Sequence, residues 1–224
     1  MTNKNVTLPL LPLKSGVVLP GMVFTMALES DEARAAVDAA RSAGGHLLLV
    51  PHIEGRYSTV GVIAEVTDEG ALPGGLQAVA IRGDQRATIG TAVPGTGDAL
   101  WVEAEPLDEG EPTEAAVELA REYRAVLENI LLSRGAGRIA NQLRDITEPG
   151  RLADVAGYSP DLTLTQKVDV LETIDIEARV RLVLGWARDT LADLTLRERI
   201  KTEDRKSTRL NSSHPSISRM PSSA

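Results

Sequence analysis

Cysteine is absent from this chain of 224 residues, which excludes disulfides and thiolate-bound metals and fits a reducing compartment. Aromatic residues are few, with one Phe, two Trp and three Tyr, so the core is expected to be built from Val, Leu, Ile and Ala. No apolar run approaches the roughly 18 residues of a membrane span. The N-terminal stretch MTNKNVTLPLLPLK has one Lys before its apolar part, is interrupted by Pro9 and Pro12, and has no small-residue cleavage site after it. It does not read as a leader, and the expected location is the cytoplasm, with no membrane partner. An excess of positive charge is also missing: the net charge is −8. Nucleic-acid surfaces need clustered Lys and Arg to release counterions, so no nucleic acid is expected as partner. No GxxxxGK[ST] phosphate loop occurs.

What is present is an ordinary 42% of hydrophobic residues, enough to bury a core. Residues 6–13 and 22–28 read as strands, separated by Gly16 and a Pro20-Gly21 turn. Ser30 offers an N-cap to an Ala-rich helix over 31–43, with Asp31 and Glu32 in its first turn and Gly44-Gly45 at its end. Strands follow at 46–52, 57–66, 76–83, 85–93 and 99–107. Asp68-Glu69-Gly70 and Pro73-Gly74-Gly75 read as turns, and Gly83-Asp84 as the tip of a hairpin. Beyond Asp108–Pro112 the period changes. Thr113 caps a helix to about Ser133, with Ala116, Leu119, Tyr123, Val126, Leu127 and Ile130 on one face. Short helices are read at 138–145 and 165–174. Asp175 then caps a long one over 176–200, with Ile176, Val180, Val183, Leu184, Ala187, Leu191 and Leu194 in a stripe. The expected fold is α+β: a small β-barrel with one inserted helix over 1–108, then an α-helical bundle over 109–203 ending in a long helix.

Residues capable of chemistry do not assemble into a motif. His46 and His52 fall on the same face of one strand, but no third ligand accompanies them beyond Glu54, and partly buried or turn histidines are expected. Asp108, Glu109, Glu111 and Glu114 lack the regular spacing of a cation loop and read as a solvated linker. Ser15 follows Lys14, yet adjacent strand residues face opposite sides, so no Ser-Lys pair is formed. No catalytic residue, metal ligand or cofactor-binding residue is assigned. In the apolar bend Val17–Phe24, Val18, Val23 and Phe24 are expected to fill the barrel end. Pro20 and Met22 sit beside the turn and are the candidate contact residues, exposed and, for Met, adaptable to many partners.

Residues 204–224 break the pattern. They are serine-rich, aperiodic, and carry four basic residues against one acid. As a natural segment they would be a basic interaction tail. DRKSTRLNSSH followed by SRMPSSA instead resembles a translated sequencing-library adapter in two ordered pieces. The stretch is therefore expected to be a disordered artefact, with the natural protein continuing past Glu203.

The authentic part resembles the N-terminal domain of the ATP-dependent Lon protease family. LPLLPLKSGVVLPGMVFTMAL is similar to that family's opening strand-loop-strand. STVGVIAEV is similar to its Val-Gly-x-x-Ala strand. LPGGLQAVAIRGDQRATI looks like its segment with Gly83 and Arg86, RLADVAG like its R-L-A-D element, and LTLTQKVDVLETIDIEARVRLVL like its Gln, Leu-Glu and Arg-x-x-Leu pattern. The series runs from about Leu8 to Ile200 in the family's order. The resemblance implies a PUA-like pseudo-barrel and a helical bundle that capture unfolded or damaged protein clients and support a hexamer. In the family, ATPase and Ser-Lys protease modules follow, so this stretch is expected to have no enzymatic activity and no cofactor of its own. The alternative is a stand-alone adaptor or ligand-binding module of the same fold without a motor. A metal-dependent hydrolase using His46 and His52 is a third reading.

Overall fold

The computed structural model describes the backbone of residues 5–212, with side chains described to Asp204. Seven strands precede five of the six helices. The strands are β1 Val6–Leu13, β2 Val23–Ala27, β3 His46–Ile53, β4 Arg56–Tyr57, β5 Val60–Ala71, β6 Gln77–Val93 and β7 Leu100–Pro106. The helix inserted between β2 and β3 is α1, Asp31–Ser42. The others are α2 Glu114–Ser133, α3 Gly137–Leu143, α4 Pro149–Asp154, α5 Leu164–Glu172 and α6 Ile176–Ser212, with a 3₁₀ turn at Val155–Tyr158.

The sheet runs β1-β7-β6-β5-β3-β4, and a parallel pairing of β1 with β3 joins its two sides into a ring of five strands. Strand β2 lies off this path, on the N-terminal half of β6. Because successive side chains on a strand face opposite sides, the apolar run of β3 splits between two cores. Leu48 and Val50 join Leu8, Leu10, Ala87, Val102 and Ala104 in one cluster. Leu47 and Leu49 join a larger cluster containing the buried residues of α1, α2, α5 and α6. A strand buried on both faces reads as a continuous hydrophobic run, as HLLLVP does. Sheet and bundle thus share the larger of the two cores.

The caps form where the sequence places them. Ser30 accepts from the N–H of Ala33, Thr113 from that of Ala116 and Asp175 from that of Ala178. Thr163 and Gln166 add a capping box to α5, satisfying donors that a helix start leaves free.

The structure corrects the reading at three places. Gly83-Asp84 is not a hairpin tip, because β6 runs unbroken through it. Ile63 pairs with Gln85 and Ala64 with Gly83, so Asp84 is the extra residue of a bulge. Gly83 is small for a different reason: a Cβ there would lie 2.8 Å from the carbonyl oxygen of Leu19. The bend after β1 crosses at that point, with Gly21 N–H donating to Gly83 O and Gly83 N–H to Met22 O. Second, Asp68-Glu69-Gly70 lies within β5, and the real turn to β6 is closed by Leu72 N–H donating to Leu76 O. Third, α6 does not stop near residue 200 but continues to Ser212, into the stretch expected to be disordered. Once a helix is nucleated each further residue adds a hydrogen bond, and residues 204–212 contain neither Gly nor Pro. The rest of the expected disordered tail, 213–224, lies outside the described residues.

Candidate functional site

The residues with chemical potential are dispersed. His46 is half-buried, its Nδ1 3.0 Å from the carbonyl of Gly44, while His52 stacks on Tyr57 at 4.2 Å. Six strand steps place the two histidines about 20 Å apart, too far to share an ion. Among the described residues no group of three metal-ligating side chains occurs. Lys14 is exposed and pairs with Glu32 at 3.4 Å.

The acidic linker is not wholly solvated. Glu109 turns inward, accepting from Arg86 Nη1 at 2.6 Å and Arg179 Nη2 at 2.5 Å. Arg86 also grips Asp154 with both terminal nitrogens, at 2.9 and 2.7 Å, and donates to the carbonyls of Leu171 and Val170. Arg179 donates to Thr173 O and Ile174 O, and its Nε lies 3.4 Å from Asp154. Both arginine side chains are fully buried. Burial pushes the Asp154 carboxyl up, against the pull of the two guanidinium groups. Arg86 comes from the ring, Asp154 from α4 and Arg179 from α6, so three separated stretches of the family-like pattern meet at one ionic rivet. A second staple forms where Glu172 accepts from the hydroxyls of Ser58 and Thr59 and the N–H of Thr59, at 2.7, 2.9 and 2.8 Å.

Of the two residues singled out as candidate contacts, Pro20 is half-buried and Met22 is buried at 8% exposure. The expected exposure of Met22 is therefore corrected. Its sulfur accepts from the N–H of Leu19 at 3.2 Å, and it fills the space left by Gly157, where a Cβ would fall 2.3 Å from Sδ. The neighbour that reaches the surface is Val23, 54% exposed. Its N–H donates to the Tyr158 hydroxyl at 2.8 Å.

Tyr158 leads to an apolar concavity. An apolar groove of about 310 Å³ lies between α2, α3, the 3₁₀ turn and α6. Leu127, Leu131, Ile139, Leu162, Val183 and Trp186 line it, with the Arg134–Asp161 ion pair at 2.8 Å on its edge. At its base Tyr123 is buried, and that burial, with the charge of Asp154, pushes its phenol up. The helical stripe foretold Tyr123, Leu127 and Ile130 but not the groove, because the remaining walls come from short elements. One signal was available: Tyr123, Tyr158 and Trp186 are half of the chain's six aromatic residues, and all three converge here.

A ring of strands riveted by buried ions to a helical bundle, with an apolar groove in the bundle, defines an α+β binding domain. The chain belongs to the family of the ATP-dependent protease La (LON) substrate-binding domain, whose family model matches residues 7–189. It is 45% identical over 201 residues to the Lon protease of Salinispora arenicola, covering 89% of this chain and 26% of that protein. It is 44% identical over 200 residues to the Lon protease of Mycolicibacterium smegmatis, with 89% and 26% covered. The chain thus spans about a quarter of the length of these curated relatives. The N-terminal domain of Mycobacterium avium complex Lon protease matches in structure with a TM-score of 0.77 at 41% identity, over 82% of this chain and 99% of that one. The Lon N-terminal domain protein from Xanthomonas campestris shares the fold, with a TM-score of 0.59 at 21% identity, over 81% and 98%.

Proposed function

We propose that this chain is the substrate-recognition and assembly domain of an ATP-dependent serine protease of the Lon type. It acts in cytoplasmic protein quality control, and the ATPase and protease modules lie outside these residues. The observation that carries this reading is the apolar groove in a chain whose family is named for substrate binding. Unfolded or damaged proteins expose apolar segments, and burying them gains about 25 cal/mol per Å². A groove lined by aliphatic and aromatic side chains accepts many such segments without selecting one sequence. On this reading residues 1–108 form a PUA-like pseudo-barrel and 109–203 the helical bundle. Pro20 borders the client surface, and Met22 supports it from beneath through Gly157. Assembly into a hexamer places several grooves in reach of one client and adds avidity, while α6 connects each groove to the motor. The domain itself uses no cofactor, nucleic acid or membrane.

The test is binding of a permanently unfolded, carboxymethylated fluorescent protein to this chain, read by anisotropy. Ile139, 51% exposed on the groove, is changed to Ser. Affinity is expected to fall several-fold, with the thermal midpoint nearly unchanged because the site is on the surface. Unaltered binding by Ile139→Ser and by a Trp186→Ser variant of intact circular dichroism would reject the groove as the client site.

A further inference from the structure

Strand β2 carries an unguarded sheet edge beside the groove. Its hydrogen-bonding parity follows from its ends. Gly83 N–H donates to Met22 O, and Leu28 N–H donates to Gln77 O. With Val23 opposite Arg82 and Ala27 opposite Ala78, the backbone groups that face β6 are the carbonyl of Met22, those of Phe24 and Met26, and the N–H of Leu28, while the N–H of Met22 donates to Leu19 O. Those of Val23, Thr25 and Ala27 face away. The pair on Val23 is held by the Tyr158 hydroxyl, 2.8 Å from its N–H and 3.5 Å from its O. Among the described residues, no hydrogen bond from another element reaches the outward groups of Thr25 or Ala27. Thr25 is exposed and Ala27 half-buried.

Proteins protect such edges with charge, proline, short length or a covering element. The other edge shows this: β4 has two residues, one of them Arg56. Strand β2, VFTMA, has five residues with neither charge nor proline. We infer that the β2 edge receives an extended segment of an unfolded client as an added strand, hydrogen-bonded through its main chain to Thr25 and Ala27. This rests on the substrate-binding reading and adds its mode of capture. Main-chain pairing is blind to sequence, which suits a receptor for unfolded chains of any composition. A folded protein has few free edges to offer, so the same contact rejects it. The edge is continuous with the groove through Tyr158, which contacts Val23 and lines the concavity. One client can therefore pair along β2 and place an apolar side chain in the groove. The Tyr158 hydroxyl occupies the end of the edge and gives way to a longer strand.

Two measurements on this chain test the mode. The first uses a fluorescent apolar client peptide in two forms, N-methylated at odd or at even positions. Strand addition uses one peptide edge in a given register, so one form is expected to keep its affinity and the other to lose about tenfold. Equal affinities for the two forms overturn the proposal. The second uses Thr25→Pro, which removes an outward N–H without touching the ladder to β6, as an edge strand tolerates. It is expected to weaken the unmodified peptide by a similar factor. Tyr158→Phe, which vacates Val23 while keeping the ring, is expected to tighten it a few-fold. If Thr25→Pro fails to fold, the peptide pair decides on the wild-type chain. If Ile139→Ser loses binding while both peptide forms bind alike, the groove stands and the edge is rejected. If no variant and no wild-type chain binds unfolded protein, the substrate-binding reading itself fails. Concentration-dependent dimerisation abolished by Thr25→Pro, with client affinity unchanged, assigns the edge to a second copy and also overturns the proposal.

Discussion

Met22 illustrates how a side chain next to a turn is drawn inward by a partner far away in sequence. Local reasoning places it at the surface because Pro20-Gly21 bends the chain there. Its burial depends on Gly157, 135 residues on, which leaves the pocket its sulfur fills. Gly83 is governed in the same way: its smallness answers the crossing of Leu19, not a turn of its own. Neither contact leaves a trace in local periodicity, whereas the caps Ser30, Thr113 and Asp175, whose partners lie three positions away, are legible. The Met22–Gly157 contact is open to a double-mutant cycle. Met22→Ala is expected to cost about 2–4 kcal/mol through the cavity it leaves. Gly157→Ala is expected to cost about 1–3 kcal/mol by overpacking. In the Met22→Ala background the added methyl has room, so Gly157→Ala becomes nearly neutral and the coupling exceeds about 1 kcal/mol. Urea unfolding of the four proteins measures it, and simple additivity would show that the two residues do not touch.

At the scale of elements, the strands and long helices were legible from period and composition, but their junctions were not. The family-like pattern at Leu171-Glu172 marks a residue that holds α5 to the start of β5, where Ser58 and Thr59 converge on one carboxylate oxygen. Partial burial pushes the Glu172 carboxyl up, yet the hydrogen bonds from Ser58 and Thr59 outweigh it, and the group titrates below its ordinary value. The sign follows by linkage. A carboxylate whose folded pKa is depressed contributes stability that is full above its unfolded value, near 4.3, and is lost as pH falls through the folded value. Glu172→Gln is therefore expected to lower stability at pH 7 and to match the parent in strong acid. The difference at pH 7 is expected to stay below about 1 kcal/mol, because the side chain is exposed and screened. Urea midpoints from pH 3 to pH 7 check this; curves that stay parallel throughout would remove Glu172 from the acid response.

For the whole molecule the question is whether ring and bundle are two domains or one. The composition change near Asp108–Pro112 reads as a boundary, with all seven strands and α1 before it and α2 to α6 after it. Yet a single apolar cluster runs from α1 and β3 to α6, and Arg86, Asp154, Glu109 and Arg179 tie the halves through buried charge. Charge that has left water is stable only while its partners stay in place, and opening the interface takes Arg86 away from both Asp154 and Glu109. The two halves should then unfold together. The tryptophans allow a direct test, since Trp101 lies in β7 and Trp186 in α6. Trp186→Phe leaves a reporter of the ring and Trp101→Phe a reporter of the bundle. After correction for the stability each substitution costs, both are expected to report the same urea transition. Asp154→Ala removes one of the two carboxylates that both arginines share, the more deeply buried one, and is expected to cost about 3–5 kcal/mol. It should also weaken the coupling, so that the two reporters separate. Coincident transitions with Asp154→Ala as well would mean that the shared apolar core alone makes the molecule cooperative and that the buried ions orient the halves without joining them.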